Sequence, residues 1–341
     1  MTDSSEAYAE NGRDWRIYRA TPLPHDDIAK LPPAPPWRQF GGAPALDRGP
    51  TDWVEPPAMA ARARAYQADD STIELVNAAL YLRRPLLVSG KPGTGKSTLA
   101  RSIAHELRLG PVLNWPVTSR STLRDGLYRY DAIGRLQDAG RSPGQDTATL
   151  EPAIGRYLTL GPLGTALLPW RHPRVLLIDE LDKSDIDLPN DLLHVFEEGT
   201  FEIPELARLP AEADVVDVRT ADGQPVPIRR GDVRCLAFPI VVITSNGERE
   251  FPPAFKRRCI RVDITPPKEE ALLRIVESLL GVEALDDSGA LIRDFVERRE
   301  HGDVATDQLL NAIYLVTSGA TPPESTRERL NAALLRELDA D

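Results

Sequence analysis

The sequence predicts an α/β fold: a parallel five-stranded sheet with helices on both faces, followed by a small helical lid domain. Five short apolar segments alternate with helical patterns, at residues 85–88, 112–117, 175–178, 240–245 and 260–264. Strands that lack apolar–polar alternation are typical of a parallel sheet buried on both faces. A helix is also expected over 58–82, with Ile73, Val76 and Leu80 on one face. After Pro266 the pattern is helical to the end of the chain.

Composition divides the chain into three parts: an arm (1–57), an α/β core (58–267) and a helical lid (268–341). The arm holds ten of the 31 prolines, and proline fixes φ and lacks an N–H, which disfavours helices and central strands. Trp15, Trp37 and Trp53 also lie in the arm, although disordered tails are usually poor in aromatic residues. We therefore expect an extended arm that packs on the next domain or on a neighbouring subunit.

Charge and composition argue against several functional classes. The chain has 341 residues and a net charge of −11, and this acidity disfavours a broad surface that tracks the phosphates of nucleic acid. There is no run of about 18 apolar residues, and the acidic start lacks the apolar segment of a secretory signal. The two cysteines, Cys235 and Cys259, and the five histidines show no metal-ligand spacing. We therefore expect a cytoplasmic protein with no membrane partner.

The strongest motif is a glycine-rich loop between a predicted strand and a predicted helix. Residues 90–97 match the pattern G-x-x-x-x-G-K-S/T in full, in the strand-and-helix context that this motif requires. Glycines let backbone N–H groups curl around phosphate oxygens, and the helix N-terminus adds a favourable dipole. We expect Lys96 to reach the β- and γ-phosphates of ATP, and Ser97 to ligate Mg²⁺. The residues predicted to bind the nucleotide are Gly90, Lys91, Pro92, Gly93, Thr94, Gly95, Lys96, Ser97 and Thr98.

Two carboxylates end the third apolar segment. Asp179 and Glu180 directly follow residues 175–178. Asp179, at the strand tip, can hold Mg²⁺ directly or through water. Glu180 points to the other side of the tip and can polarise an attacking water as a general base. Together with the upstream loop, this pair predicts hydrolysis and not binding alone.

Two further candidates lie downstream. Asn246 directly follows the apolar segment 240–245, and in a parallel sheet the tip of that strand would lie beside Asp179. Asn246 would then orient the water next to the γ-phosphate; the alternative is that it only starts a turn. Residues 256–258 form a cationic run, which is either a solvated face or the source of an arginine finger. Such a finger reaches a neighbouring subunit's site, so that interpretation requires an oligomer.

The order of these motifs resembles that of AAA+ ATPases, and in particular their MoxR-like branch. Residues 84–96 resemble its RPLLVxGxPGTGKT segment, and Gly161-Pro162-Leu163 resembles its GP element. Residues 176–183 and 192–198 resemble LLxDEINR and ALLEAMEE, and residues 251–258 resemble LPEAxxDRF. The similarity spans about residues 60–320 and fails over the first 57.

This resemblance implies a P-loop NTPase αβα core that binds MgATP at a subunit interface, with a β-hairpin inserted in helix 2 within residues 118–151. It also implies a homo-oligomeric ring, usually a hexamer. Members of the branch remodel a partner protein in a chaperone-like way, often one with a von Willebrand A domain. By motif position, Asn246 corresponds to sensor 1 and Arg258 to the arginine finger.

The sequence departs from the family pattern at two places. Cys259 follows Arg258 where the family usually has Phe, and the segment at sensor 2, usually Ser-Pro-Arg, reads Thr306-Asp307-Gln308. Gln308 carries no charge to meet the γ-phosphate, which favours slow hydrolysis. Arg293 is a candidate substitute that spacing alone does not test.

Three functions therefore compete. The first is an ATPase that remodels a protein partner, and the second is a slowly cycling nucleotide-gated scaffold or switch with the arm as docking element. The third is a GTP-using ring similar to McrB-type restriction ATPases that acts on DNA. Guanine readers of the small-GTPase kind need Asn-Lys-x-Asp after a strand, whereas residues 182–185 read Asp-Lys-Ser-Asp and follow the acidic strand. The motifs therefore favour the two ATP-using functions.

Overall fold

The computed structural model describes residues 14–47, 53–141, 151–301 and 304–317, together with positions 330 and 334. In these ranges the strands are β1 (Leu86–Ser89), β2 (Leu113–Pro116), β3 (Tyr128–Tyr130), β4 (Leu158–Leu160), β5 (Val175–Asp179), β6 (Thr200–Glu202), β7 (Val215–Arg219), β8 (Pro225–Arg229), β9 (Asp232–Arg234), β10 (Ile240–Ser245) and β11 (Ile260–Asp263). The helices are α1 (Pro57–Ala65), α2 (Asp70–Leu82), α3 (Lys96–Glu106), α4 (Leu123–Leu127), α5 (Ala132–Arg141), α6 (Pro162–Ala166), α7 (Leu188–Glu198), α8 (Pro204–Ala207), α9 (Pro253–Arg258), α10 (Glu269–Leu280), α11 (Glu283–His301) and α12 (Thr306–Thr317). None of the described helices is long and apolar enough to cross a membrane.

The predicted parallel sheet is confirmed. Its five strands are ordered β11-β1-β10-β5-β2, and every neighbouring pair is parallel. All six residues of β10 are buried, as expected for a central strand with an apolar cluster on each face of the sheet. Because parallel strands end at the same edge, the residues that follow β1, β5 and β10 meet there.

A second sheet takes up much of the chain between β2 and β10. Its six strands are ordered β3-β4-β7-β8-β9-β6. The hairpin expected within 118–151 is only partly there, because β3 pairs antiparallel with β4 at Leu158–Leu160, beyond that range. Residues 142–150 lie outside the described residues. Residues 201–235, a segment longer than a plain connection between two strands needs, supply most of this sheet.

The single helix expected over 58–82 is two helices, which corrects the prediction. α1 ends at Ala65 and α2 begins at Asp70. The Asp69 side chain accepts a hydrogen bond from the Thr72 N–H at 2.7 Å, so it caps the second helix. The periodicity of the apolar residues runs through both helices and hides the break.

The described part of the arm packs on the core of the same chain. Ile17 and Tyr18 are buried, and the backbone N–H groups of both donate to Asn77 Oδ1 at 2.7 and 3.0 Å. The Arg19 N–H donates to the buried carboxylate of Glu106, at the end of α3, at 2.7 Å. The arm is therefore held by polar groups of α2 and α3. Residues 1–13 and 48–52 lie outside the described residues.

Helices α10, α11 and α12, the last three whose bounds the structure describes, share their own apolar core. Its buried members include Leu272, Phe295 and Leu309. α10 also packs on α1, so the helices that follow the sheet close over the edge where β1 ends. Residues 318–329 lie outside the described residues.

Candidate active site

The glycine-rich loop joins β1 to α3 at the carboxyl edge of the sheet. Gly93 and Gly95 have φ of +72° and +90°, values that favour glycine because a side chain would be strained there. A Cβ on Gly93 would lie 2.4 Å from the Ala305 Cβ, so the loop also touches the residue that precedes α12. Close contact and left-handed backbone together explain why glycine is needed at this position.

Lys96, the first residue of α3, is buried and folds back over the loop. Its Nζ donates to the carbonyl oxygens of Gly90 at 2.7 Å and Lys91 at 2.8 Å. Burial lowers the pKa of Lys96 from its ordinary value, and the nearby carboxylates of Asp182 and Asp179 oppose this shift. An ammonium group held beside a glycine-rich loop is the arrangement that meets β- and γ-phosphates.

Three oxygen-bearing side chains from different segments meet at the strand tips. Ser97 Oγ and Thr244 Oγ1 both donate to Asp179 Oδ1, each at 2.7 Å. Ser97 lies in α3, Asp179 ends β5 and Thr244 lies in β10. In the described residues, no group of three or more His, Cys, Asp or Glu side chains could hold a metal. A Mg²⁺ at this point would therefore depend on phosphate oxygens and water as well, as Mg²⁺ sites usually do.

Glu180 lies beside this cluster in an unusual conformation. Its φ is +59°, which costs a non-glycine residue about 1–2 kcal/mol, and its N–H donates to Thr244 Oγ1 at 2.8 Å. One carboxylate oxygen accepts from Asn246 Nδ2 at 3.4 Å, and the other pairs with Lys183 Nζ at 2.8 Å. The hydrogen bond to Glu180 raises the pKa of Lys183. The Glu180 carboxylate therefore lies between Asn246 and Lys183.

Asp182 fixes the turn that carries Asn246. Its Oδ2 accepts from the N–H groups of Asn246 at 2.9 Å and Glu248 at 3.1 Å. The residue is buried, and Oδ1 has no hydrogen-bond partner. The sequence predicted no role for this carboxylate, whereas the structure shows that it joins the tips of β5 and β10.

A cavity of about 920 Å³ extends from the loop toward the lid. One end is lined by residues of the loop together with Asp179, Glu180, Thr244 and Asn246. The other end lies between the α1–α2 connection and α10, where Tyr66, Ala68, Ile275 and Leu279 contribute apolar surface. A polar end with an ammonium group and an apolar end suit the phosphates and the base of a nucleotide.

Thr306 and Asp307, from the segment expected at sensor 2, line the cavity. The Gln308 side chain accepts a hydrogen bond from the Ala305 N–H at 2.7 Å, which ties it to the start of α12. Arg293 is exposed and does not line the cavity. Arg274 of α10 does line it, and its Nε donates to Gln67 Oε1 at 2.9 Å. Arg274 had no sequence signal, because it belongs to no motif and its role depends on how α10 packs.

Arg258 is not brought to this cavity. It ends α9, just before β11, and Ile260 at the start of β11 pairs with Leu86 at the start of β1. The glycine-rich loop follows the other end of β1. Arg258 therefore lies at the edge of the sheet opposite the chain's own loop.

Residues 90–98, Asp179, Glu180 and Asn246 thus meet at one edge of the sheet, and Arg258 lies apart from them. The fold and the loop define the class: a P-loop nucleotide-binding protein. The AAA domain family model, dynein-related subfamily, matches residues 85–259, so the chain belongs to that family and is an AAA+ ATPase, an ATP-hydrolysing enzyme in general terms. No curated protein matches the chain.

Proposed function

We propose that this chain is a MoxR-like AAA+ ATPase that binds MgATP in the cavity, hydrolyses it as part of a ring, and remodels a partner protein. The observation that carries the proposal is the meeting of Lys96, Ser97, Asp179 and Glu180 at one end of the cavity. A carboxylate placed to activate a water would be unnecessary in a protein that only bound nucleotide.

The oxygen cluster fits Mg²⁺. Ser97 Oγ, Asp179 Oδ1 and Thr244 Oγ1 are hard oxygen donors within one hydrogen-bonded group, and Mg²⁺ prefers oxygen ligands shared with substrate phosphates. Ser97 and Asp179 would hold the ion, with Asp179 bound directly or through a water. When bound, Mg²⁺ neutralises negative charge on the β- and γ-phosphates.

In the proposed reaction a water oxygen bonds to the γ-phosphorus, and the bond from that phosphorus to the β–γ bridging oxygen breaks. Glu180 accepts the proton that the water loses, and the products are ADP and inorganic phosphate. Asn246, which reaches Glu180 Oε1 at 3.4 Å, would orient the water. Lys183 competes for the same carboxylate at 2.8 Å, so the base is fully available only when this ion pair opens.

The position of Arg258 supports the proposal of a ring. At the edge opposite its own loop, its exposed guanidinium can act only on another subunit's nucleotide.

Exposed apolar residues support a protein partner: Ile133 and Leu136 of α5 are 71% and 75% exposed and lie three residues apart, on one helix face.

The slowly cycling switch is favoured by one observation. Gln308 caps the start of α12 and offers no charge to the γ-phosphate. Measuring the particle mass in solution with and without ATP, together with phosphate release, separates the two functions. An assembled particle that hydrolyses ATP is expected for the ring, whereas a monomer that releases no phosphate would contradict it and favour the switch.

A further inference from the structure

Arg258 has a partner that belongs to a different part of the chain. Its Nε donates to Glu197 Oε1 at 2.6 Å, and its Nη1 makes a long contact of 3.4 Å with the Ala254 carbonyl oxygen. Glu197 lies near the end of α7. Both side chains remain more than two-fifths exposed, at 43% and 44%.

The contact with Glu197 engages Nε of the Arg258 guanidinium and leaves its terminal nitrogen Nη2 available. Within the described parts of the chain, Nη2 of Arg258 has no hydrogen-bond partner. A carboxylate that sequestered the group would form a two-pronged pair with both ends of the fork. Glu197 instead restricts the rotation of the side chain while the terminal nitrogen stays exposed.

Glu197 also lies near a residue of the arm. Its second oxygen, Oε2, lies 3.8 Å from Nη1 of Arg38. Burial lowers the pKa of Arg38, and the Glu197 carboxylate opposes that shift. One carboxylate thus lies between two guanidinium groups that are 220 residues apart in the sequence.

The guanidinium of Arg38 is buried and held by several contacts. Only 7% of it is exposed, and it donates to the carbonyl oxygens of Phe196 at 2.9 Å and Arg83 at 2.7 Å. Its guanidinium also lies over the rings of Phe40 and Phe238, at 5.1 and 4.7 Å. A buried, hydrogen-bonded guanidinium against two aromatic rings is a rigid neighbour for the carboxylate beside it.

We propose that Glu197 and Arg38 are positioning residues: the arm, through Arg38 and Glu197, aims the guanidinium of Arg258 at the nucleotide of a neighbouring subunit. This inference rests on the proposed function of Arg258 in trans. It gives the proline-rich arm a part in catalysis, although no arm residue lines the cavity among the described residues.

The test uses full-length chains and mixtures of variants. Glu197→Gln keeps the size of the side chain and removes its charge; we expect kcat to fall about tenfold, with KM for ATP unchanged, because the cation is misplaced and not lost. Glu198→Gln is the matched control, since Glu198 is the exposed next residue of the same helix and should keep wild-type turnover. The double variant Glu197→Gln with Arg258→Ala should be no slower than Arg258→Ala alone.

Mixing locates the defect. Glu197→Gln chains mixed with Lys96→Ala chains should regain turnover, because the second chain supplies an intact Arg258 to the first chain's site. When the Glu197→Gln chains are mixed with Arg258→Ala chains, turnover should not increase. Failure to regain turnover with Lys96→Ala would overturn the inference, since it would place the damage in the variant's own site or fold.

The outcomes also separate this inference from the function it rests on. Wild-type turnover in Arg258→Ala would refute the trans role itself. A defective Arg258→Ala together with wild-type turnover in Glu197→Gln would refute only the positioning role. Arg38→Lys keeps the positive charge but lacks the forked guanidinium, so it should behave as Glu197→Gln does. A stable Arg38→Lys chain with wild-type turnover would exclude a role of the arm in positioning Arg258.

Discussion

The hydroxyl of Ser97 donates a 2.7 Å hydrogen bond to Asp179 Oδ1. The two residues are 82 positions apart, yet they join the first turn of α3 to the tip of β5. Thr244 of β10 donates to the same oxygen, also at 2.7 Å. Three segments of the core thus share one carboxylate oxygen where the cation of a nucleotide would lie.

Replacement of Asp179 should change the magnesium dependence of turnover. Asp179→Asn removes the anionic ligand, so the Mg²⁺ concentration for half-maximal phosphate release should rise about tenfold or more. Asp263→Asn is the control, because Asp263 also ends a strand of the same sheet but does not line the cavity. Equal magnesium curves for Asp179→Asn and wild type would exclude the proposed ion site.

Replacement of Glu180 should separate binding from chemistry. Glu180→Gln keeps the contact with Asn246 but cannot accept a proton, so phosphate release should fall about 100-fold or more. Calorimetry should still detect ATP binding, and Glu202→Gln on the exposed side of β6 should behave as wild type. Unchanged phosphate release would mean that another group activates the water.

Mixed rings should reveal a shared site. Arg258→Ala alone should lose about 1,000-fold or more in turnover if the cation stabilises charge on the γ-phosphate. Adding Lys96→Ala chains should restore part of it, because their own Arg258 is intact. Arg257→Ala, an exposed neighbour in the same helix, is the matched control. Absence of any restoration would count against an active site built by two subunits.

The anchor of the arm should be essential to stability. Asn77 is fully buried and bonds the N–H groups of Ile17 and Tyr18 and the Tyr18 carbonyl oxygen. Asn77→Ala leaves these groups unpaired, which should lower the free energy of unfolding by about 3 kcal/mol. Asn190→Ala, at an exposed helical position, should change it by less than about 0.5 kcal/mol. Urea denaturation measures both, and equal midpoints would contradict this role.

Both thiols should be unreactive in the folded protein. Burial raises the pKa of Cys235 and of Cys259 to about 12, so neither forms the reactive thiolate at neutral pH. A thiol-specific dye at pH 8 should label neither residue until denaturant is added, and should then label both. Rapid labelling without denaturant would show that one of the two thiols is accessible.

The fold class and the chemistry at the strand tips could be predicted from the amino-acid sequence. The glycine-rich loop, the acidic pair Asp179–Glu180 and Asn246 each follow an apolar strand, and parallel strands end at one edge. Their proximity therefore follows from the order of the segments. Short apolar runs and a contiguous motif are local features, and local features can be read from one sequence.

The residues that surround this chemistry could not be predicted without the packing of the helices and strands. The break before Asp69 was hidden by continuous helical periodicity, and it forms part of the apolar end of the cavity. Arg274 lines the cavity and Arg293 does not, because of how α10 packs on α1. The contact of Arg38 with Glu197 joins residues about 160 positions apart. Such contacts depend on how the helices and strands pack together, and no residue spacing within one segment specifies them.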